Sequence, residues 1–489
     1  MSPRVVVVVV IISSLLTVSC AVGPDYQSPK MAVLKKWTNA PVSQKARQPE
    51  QWWLSFKDPV LNQLIADAIA ANLDLKQAMN RVLDARTQRS ATIAAGLPSL
   101  SAKSNLSRRL NNTSTGSQAG GSSVGGGFGV GGQQINIFQL GFDAQWELDF
   151  FGGVRRAVEA ADATVESEEE NNRDVLVTVL GEVARNYIDL RANQKLVAVT
   201  QESLLAQQDT YRLTQTRQQA GLASMLEVVQ ARTAVANTEA LLPTYETLVK
   251  QSIHALGVLL GREPGALSLR LARSGVIPEV SANAIIDLPS ELLLRRPDIR
   301  RAERQMAVAN ASVGVATAEL YPKVNLAAFL GLQNTRIIDF TPLGKSWSAA
   351  SSITMPIFNW GKLNANIKSK KIQFEQSFLI YQATVLSAFK EVEDALVAYN
   401  NEQERHKALL QAVEADQLAV QLASELYQKG LTSFLNVLES QQSLYQAQSN
   451  LVNSDAKMSS QWVALYKSLG GGWQTGLSAK DPLLRDKRS

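Results

Sequence analysis

The sequence predicts a mostly α-helical chain that is internally duplicated and carries two pairs of membrane β-strands. Three observations predict this class: a stretch that occurs twice, long segments with heptad spacing, and segments in which apolar and polar residues alternate. The repeated stretch spans Ala220–Gln230 and Lys429–Glu439, and its glycines, Gly221 and Gly430, are 209 residues apart. We therefore expect two similar helical hairpins in one chain.

Each copy of the repeated stretch follows one long heptad-patterned segment and precedes another, which predicts a turn between two helices. Glycine at a helix C-terminus supplies the left-handed cap without a Cβ penalty, and Gly221 and Gly430 have this position. Ser224 and Ser433 begin the next helix, where a hydroxyl can accept a hydrogen bond from a free backbone N–H.

The segment from Gly152 to Gln219 has the spacing of a coiled coil, because its apolar residues recur at alternating steps of four and three. They include Leu176, Leu180, Val183, Tyr187 and Leu190, and the pattern recurs in Val385, Phe389, Val392, Leu396 and Tyr399. At 1.5 Å per residue this helix would be roughly 100 Å long, and segments 59–95 and 223–260 roughly 55 Å each. Two short helices stacked end to end would match one long helix, which predicts a barrel of paired helices.

Two fixed offsets define the duplication. Asp74, Ala78 and Pro98 match Asp298, Ala302 and Pro322 at 224 residues, whereas Gly152, Gly221 and Gly261 match Gly361, Gly430 and Gly470 at 209 residues. A Gly/Ser-rich loop at 115–132 in the first copy accounts for the difference. Spacing that is preserved from Gly152 to Gly261 and again from Gly361 to Gly470 indicates an internal repeat.

Alternating segments at 99–112, 134–149, 323–333 and 346–358 predict strands with one apolar and one polar face. Each is long enough for a transmembrane β-strand, which needs roughly 9–11 residues. Four strands cannot close a barrel, for which roughly eight are the minimum. We therefore expect the chain to pool its strands with copies of itself.

The N-terminus has the pattern of a secreted lipoprotein. Arg4 precedes an apolar run from Val5 to Val18 that suits a signal peptide and is too short to span a bilayer. Cys20, the only cysteine of the chain, follows after Ser19 and is the predicted lipidated residue. Ala21, rather than Asp, at the second mature position favours the outer membrane.

Composition argues against several other functions. The chain has 489 residues and a net charge of +5, without a basic cluster interleaved with aromatic residues, so nucleic acid is not an expected partner. No catalytic or metal-binding motif is evident, and we expect neither an enzyme nor a cofactor. The acidic run Glu166, Glu168, Glu169 and Glu170 is interpreted as a solvated helix face.

Several motifs resemble the bacterial outer-membrane efflux channels of the TolC/OprM family, in particular the NodT-like lipoprotein subgroup. The mature N-terminus, Cys20 to Tyr26, is similar to that of the subgroup, and so are Trp52-Trp53 and Leu320-Tyr321-Pro322. The most specific match is Leu294-Arg295-Arg296-Pro297-Asp298-Ile299. The resemblance covers residues 20–475.

The resemblance implies a homotrimer with a twelve-stranded transmembrane β-barrel, continuous with a long periplasmic α-helical barrel. It also implies a passive duct that works with a periplasmic adaptor (membrane fusion) protein and an inner-membrane pump of the resistance-nodulation-division (RND) class. The cargo would be drugs or other small toxic compounds. Alternatives within this class are a metal-cation efflux channel and a type I protein secretion outlet. A trimeric coiled-coil adhesin is the alternative from another class, but it would normally keep its strands at one terminus.

The resemblance also assigns roles at the hairpin turns. Leu435 and Glu439 correspond to the periplasmic gate, and Asn436 occupies the position at which related channels carry a second carboxylate. Glu227 and Gln230 are the matching residues of the first hairpin. Docking of the adaptor is expected at the hairpin tips, which are Gly221, Leu222, Gly430 and Leu431.

The predicted organisation is therefore linear. It comprises a signal peptide (1–19), a lipidated arm with an equatorial region (20–58), the helix of repeat 1 (59–98), strand pair 1 with an extracellular Gly/Ser loop (99–150), periplasmic hairpin 1 (151–261), an equatorial connector (262–296), the helix of repeat 2 (297–322), strand pair 2 (323–358), periplasmic hairpin 2 (359–470) and a tail (471–489).

Overall fold

A computed structural model describes residues 21–29, 31, 37–38, 51–111, 133–279, 289–339 and 344–475. The predicted signal peptide, Cys20, the Gly/Ser loop at 115–132 and the end of the tail lie outside the described residues. The chain divides into two compact units. The strand unit comprises the chain up to Ser28, Asp84–Val165 and Gln305–Phe378, and the helical unit comprises Pro29–Leu83, Glu166–Arg304 and Leu379–Ser489.

The helices and strands follow the order that the duplication predicts. They are α1 Pro59–Ala71, α2 Leu73–Ala95, β1 Ser99–Asn111, β2 Gln133–Leu148, α3 Gly153–Gln219, α4 Met225–Glu239, α5 Leu242–Leu259, α6 Ser268–Leu271, α7 Pro289–Arg295, α8 Pro297–Ala318, β3 Lys323–Asn334, β4 Lys345–Thr354, α9 Lys362–Gln428 and α10 Phe434–Ser468. The helices α3 and α9 have 67 residues each. No helix in the described part of the chain is long and apolar enough to cross a membrane.

Two segments expected to be single helices are each divided in two, so these expectations were wrong. The segment from residue 59 to 95 breaks at the buried Asn72, whose side-chain amide donates to the Leu259 carbonyl at 2.8 Å. Its side-chain oxygen accepts from the Leu75 N–H at 3.0 Å and caps α2. The segment from residue 223 to 260 breaks before Pro243, which lies in the first turn of α5 and lacks an N–H for a continuous helix.

The four strands form one antiparallel sheet in the order β1-β2-β3-β4. Residues that lie opposite one another share a face of the sheet. One face is apolar, and it includes Leu100 opposite Ala144 and Phe142 opposite Leu330. Its large side chains are exposed: Leu100, Leu106, Leu140, Phe142, Trp146, Leu330, Trp347 and Ile353. The other face carries polar side chains, and Lys103 pairs there with Asp143 at 3.4 Å. A sheet with one exposed apolar face and one polar face is typical of strands that lie between lipid and water.

One aromatic side chain is buried on the polar face. Phe329 is 7% exposed because its ring lies over Gly141 and Gly331, which are opposite each other on β2 and β3. A Cβ added at either glycine would lie within 2.7–2.8 Å of this ring. The ring therefore occupies the space that two side chains would otherwise fill.

The N-terminal arm is held within the strand unit. The Val22 N–H donates to the Phe151 carbonyl at 3.1 Å. The buried guanidinium of Arg156 donates to the Val22 carbonyl at 3.1 Å and to Asp25 at 2.7 Å. These contacts fix the arm beside the turn that connects β2 to α3.

The helical unit contains a buried ionic network around the most specific sequence motif. Arg296 contacts both oxygens of Asp298, at 3.0 and 2.6 Å, and donates to the Ser468 carbonyl at 2.9 Å. The motif therefore joins the start of α8 to the end of α10.

The interpretation of the acidic run as a solvated face was wrong for Glu170, whereas Glu166 is exposed. Glu170 is 4% exposed and pairs with Arg300 at 2.6 Å and with Arg173. Glu166 pairs with Arg304 at 2.9 Å. Because Arg300 and Arg304 lie on α8, more than a hundred residues away, local sequence gives no sign of their pairing with this run.

Candidate functional site: the two helical hairpin turns

The two hairpin turns have the same backbone conformation. Gly221 and Gly430 have φ angles of +71° and +73°. The Leu222 N–H donates to the Arg217 carbonyl at 2.8 Å and the Gly221 N–H to that of Gln218 at 2.9 Å. The second turn repeats this pattern. The Leu431 N–H donates to the Leu426 carbonyl at 2.9 Å, and the Gly430 N–H donates to the Tyr427 carbonyl at 3.0 Å. Both long helices thus end in a Schellman motif, in which glycine adopts the left-handed conformation.

The first turn continues into a capping box. The Ser224 hydroxyl accepts from the Glu227 N–H at 3.3 Å, and the Glu227 carboxylate accepts from the Ser224 N–H at 3.2 Å. The prediction for Ser224 is therefore confirmed. Reciprocal bonds of this kind satisfy two backbone donors at a helix start and favour an acid in the first turn.

The second oxygen of Glu227 contacts the other hairpin. It accepts a hydrogen bond from the Tyr427 hydroxyl at 2.8 Å, although the two residues are 200 positions apart. Both oxygens of Glu227, a residue that the family resemblance associates with a gate, are thus engaged within the chain. Glu227 holds the end of α9 against the start of α4.

Tyr427 is the centre of the contacts between the two turns. Its ring is 4% exposed, packs edge-on against Phe434 at 5.7 Å and lies under the Arg217 guanidinium at 4.7 Å. Arg217 also donates to the Gln428 carbonyl at 3.0 Å. Burial, and then the hydrogen bond to Glu227, raises the pKa of the Tyr427 hydroxyl above its ordinary value. The hydroxyl therefore stays protonated as the donor to Glu227.

The second turn lacks the capping box, so the prediction for Ser433 was wrong. Ser433 has an N-cap backbone conformation, but its side chain makes no capping hydrogen bond. The position equivalent to Glu227 is Asn436, whose amide donates to the Thr432 hydroxyl at 2.6 Å. Without a carboxylate at this position the reciprocal bond cannot form.

The start of α10 instead presents three side chains to solvent. Leu435 is 48% exposed, and Asn436 and Glu439 are also exposed. Leu435 and Glu439 are four positions apart and therefore lie on the same face of the helix. This face is available to another molecule, since Phe434 and Val437 on the opposite face are buried in the contact between the hairpins.

The equivalent residues of the first hairpin differ in charge and exposure. Leu226 is 65% exposed, and Gln230, the equivalent of Glu439, is half-buried and uncharged. At the extreme ends of the hairpins, Leu222 and Leu431 are 68% and 70% exposed. Among the residues that the structure describes, no side chain lies within 4 Å of a Cβ added at Gly221 or Gly430.

Sequence reasoning missed Tyr427 and Arg217. The repeat itself gave a signal, because their equivalents at the 209-residue offset are Gln218 and Leu426, which are chemically different. Arg217 and Tyr427 thus break the repeat, and they are the residues through which the two hairpins contact each other.

An exposed apolar sheet face joined to long helical hairpins defines a subunit of an outer-membrane channel with a periplasmic helical part. The chain belongs to the outer membrane efflux protein family, whose model matches residues 64–262 and 288–471. It is therefore an outer-membrane exit duct for efflux that extends into the periplasm, and the predicted fold class, mostly helical with a duplicated strand pair, is confirmed. Members of this family are channels rather than enzymes.

Comparison with individual proteins agrees over nearly the full chain. The chain is 35% identical over 94% of both sequences to the toluene efflux pump outer membrane protein TtgC of Pseudomonas putida. It is 29% identical, over 94% of the chain and 97% of the relative, to the cation efflux system protein CusC of Escherichia coli. The solved structure of the outer-membrane channel OprN superimposes with a TM-score of 0.85 and 31% identity, covering 93% of this chain and 100% of OprN.

Proposed function

We propose that three copies of this chain form a passive duct that carries drugs, solvents or other small toxic organic compounds out of the cell. The duct receives its cargo from an inner-membrane RND-type pump through a periplasmic adaptor protein. A lipid on Cys20 and a barrel of pooled strands hold it in the outer membrane. The duct itself has no energy source.

The two-faced sheet carries this proposal. Eight large apolar side chains are exposed on one face, and on the other Lys103 and Asp143 form an ion pair. The apolar face suits lipid and the polar face suits a water-filled passage. Four strands are too few to close a barrel, so two further copies supply the remaining eight strands of the trimer that the family resemblance implies.

The gate is proposed at the start of α10. Leu435 and Glu439 share one exposed helix face, and symmetry brings three such faces around one axis. Leucine side chains close the passage there, and three carboxylates attract cations and repel one another. Asn436 adds a polar group but no further charge, and Gln230 gives the first hairpin no comparable acid.

The hairpin ends are the proposed docking site for the adaptor. Leu222 and Leu431 are exposed leucines next to glycines that have open space around them. An apolar contact of this kind, repeated on two hairpins per chain, gives the adaptor six similar positions in a trimer.

The cargo class rests on the relatives. The sequence is 35% identical to that of a toluene efflux protein and 29% identical to that of a cation efflux protein.

The transport experiment expresses the chain with its adaptor and pump in a host that lacks its own efflux channels. We expect lower accumulation of ethidium and toluene than in cells without the chain. If the accumulation of ethidium and toluene stayed unchanged while that of copper or silver fell, the duct would be assigned to metal cations instead.

The gate is tested by single-channel conductance in planar bilayers. Replacing Leu435 and Glu439 by Ala removes the side chains that close the passage and should raise conductance several-fold. The matched control is the pair Leu226→Ala and Gln230→Ala at the same positions of the first hairpin. Equal conductance of wild type and the Leu435/Glu439 variant would refute this gate.

A further inference from the structure

The N-terminal arm lies in a groove of the strand unit, between the first turn of α3 and the second half of α8. Three consecutive carbonyls of the arm accept hydrogen bonds from side chains of this groove. The Val22 and Gly23 carbonyls accept from Arg156 at 3.1 and 3.3 Å, and the Pro24 carbonyl accepts from Asn310 at 2.9 Å. The arm is therefore bound through its backbone, in the way that a peptide ligand is bound.

The two side chains that donate to the arm are buried. Arg156 is 5% and Asn310 4% exposed. In the described part of the chain Arg156 has four acceptors, which are two carbonyls of the arm, Asp25 at 2.7 Å and Glu159 at 2.7 Å. Three of the four belong to the arm. Because a buried guanidinium is costly unless acceptors surround it, this groove needs the arm as much as the arm needs the groove.

Glycines allow the arm to approach the walls of the groove closely. Gly23 has a φ angle of +95°, and a Cβ added to it would lie 2.5 Å from the Cα of Gly314 on α8. A Cβ added at Gly152 would lie 2.7 Å from the Cα of Ala21. Backbone thus contacts backbone at both points, without space for a side chain. The groove therefore requires a glycine in the arm.

The equivalent turn in the other half of the chain, where β4 leads into α9, lacks this groove. Gly361, the equivalent of Gly152, has nearly the same φ angle, but a Cβ added there meets nothing within 4 Å in the described part of the chain. The residues that hold the arm also differ in the other copy: Ala365 for Arg156, Ser90 for Gly314 and Arg86 for Asn310. Because α9 has the same length as α3 and follows the same kind of turn, the turn itself does not require these residues. Their role is to hold the arm.

We propose that this groove is a recognition site for the mature N-terminus of the chain, and that docking there fixes the position of the lipid on Cys20. The inference rests on the lipidation proposed above. Consecutive Cα atoms are about 3.8 Å apart, so a fixed Ala21 leaves the residue before it little freedom. The lipid is thereby attached rigidly beside the turn between β2 and α3.

Rigid attachment couples the two membrane contacts of the subunit, which are the lipid and the apolar face of the sheet. Contacts joined by a short, stiff link bind cooperatively, because binding of one holds the other at a high effective concentration. If residues 21–25 were free, the lipid could move by up to roughly 17 Å from the turn. The docked arm instead makes the lipid and the sheet a single anchor.

Proteolysis of the folded mature chain tests the groove. The endoprotease Asp-N cuts before Asp25, which requires release of the preceding carbonyl from the groove. We expect Gly23→Val and Gly314→Val to be cut several-fold faster than the wild type, because either side chain occupies the space of the opposite backbone. Ser90→Val, the same substitution at the equivalent position of α2, is the matched control and should be cut at the wild-type rate. Equal rates for all four proteins would overturn the recognition site.

A second measurement separates docking from lipidation. With the lipid, Gly23→Val should lower the yield of folded protein in the outer membrane several-fold. In a Cys20→Ala background, exported with the signal peptide of an unlipidated protein, Gly23→Val should cause no further loss. An equal loss in both backgrounds would overturn the coupling between arm and lipid. An unmodified Cys20 in mass spectrometry of the N-terminal peptide would refute the lipidation itself, whereas the proteolysis rates decide on the recognition site independently.

Discussion

The two hairpin turns share one backbone conformation but use their acidic residues differently. In the first turn Glu227 completes a capping box and accepts a hydrogen bond from Tyr427. In the second turn the equivalent position is Asn436, and the acid comes three residues later, as the exposed Glu439. Moving an acid by three positions within one repeat turns a residue that stabilises the turn into one that faces solvent. Duplication thus lets one copy use its acid to support the structure while the other keeps an exposed acid at the proposed gate.

The largest effect is expected from Tyr427→Ala, which removes the side chain at the centre of the contact between the turns. Truncating a buried aromatic residue costs about 3–5 kcal/mol. The thermal unfolding midpoint of the detergent-solubilised protein, followed by circular dichroism, should fall clearly. Gln218→Ala changes the equivalent residue of the first hairpin and is the control. Equal unfolding midpoints for the two variants would contradict the conclusion that Tyr427 stabilises the contact between the turns more than Gln218 does.

A smaller loss is expected from Glu227→Ala, because the variant removes the capping bond and leaves the buried Tyr427 hydroxyl without its acceptor. An unsatisfied buried group costs roughly 1–3 kcal/mol. Asn436→Ala at the equivalent position should change the unfolding midpoint less, since the exposed Asn436 donates to Thr432 within its own turn and leaves no buried hydroxyl without an acceptor. A larger loss in the Asn436 variant would show that the second turn is the more constrained one.

The capping difference between the turns predicts a still smaller effect. Ser224→Ala should cost about 1 kcal/mol, a typical value for an N-cap, whereas Ser433→Ala should have almost no effect because its hydroxyl makes no capping bond. The unfolding midpoints of the two variants measure this directly. Similar losses in both would mean that Ser433 caps its helix in solution.

The smallest effect concerns alkaline pH. The pKa of Tyr427 is raised by burial and then by Glu227, so its contribution to stability is complete below about pH 10 and is lost as pH rises through the raised value. Between pH 9 and about pH 11 the wild type should therefore lose more stability than Tyr427→Phe. If the stability of the wild type and of Tyr427→Phe fell in parallel over this pH range, a coupling between ionisation of Tyr427 and unfolding would be excluded. The difference between them also cancels the contributions of other tyrosines, such as Tyr187, whose pKa burial raises to about 12.

Much of the fold could be predicted from the sequence because it depends on local or periodic signals. The glycines of the turns, the heptads of α3 and α9 and the alternation in β2 each reveal their element over a short range. The two offsets even contain the strand register, since Ser99 and Gln145 map onto the observed pair Lys323 and Thr354.

The rest depends on contacts between distant residues. Glu170 looks like part of a solvated run, but it is buried against Arg300. Glu227 resembles the gate acid of a hairpin, but Tyr427, 200 positions away, accounts for its second oxygen. Ser433 makes no capping bond although it has the same position in its turn as Ser224, and only the geometry shows this difference. Which acid is exposed at the site could therefore not be read from the repeat.

The ring of Phe329 over Gly141 and Gly331 affects how large a molecule can travel along the polar face of the sheet. A side chain that stands upright on this face narrows the free cross-section, and an aromatic side chain would narrow it most. Here the two glycines give the ring a shallow recess in which it lies flat, leaving only 7% of the residue exposed. At this level Phe329 therefore adds little height to the polar face, whereas Lys103, which lies opposite Gly141 and has a side chain that is 57% exposed, is the longer obstacle to a passing molecule.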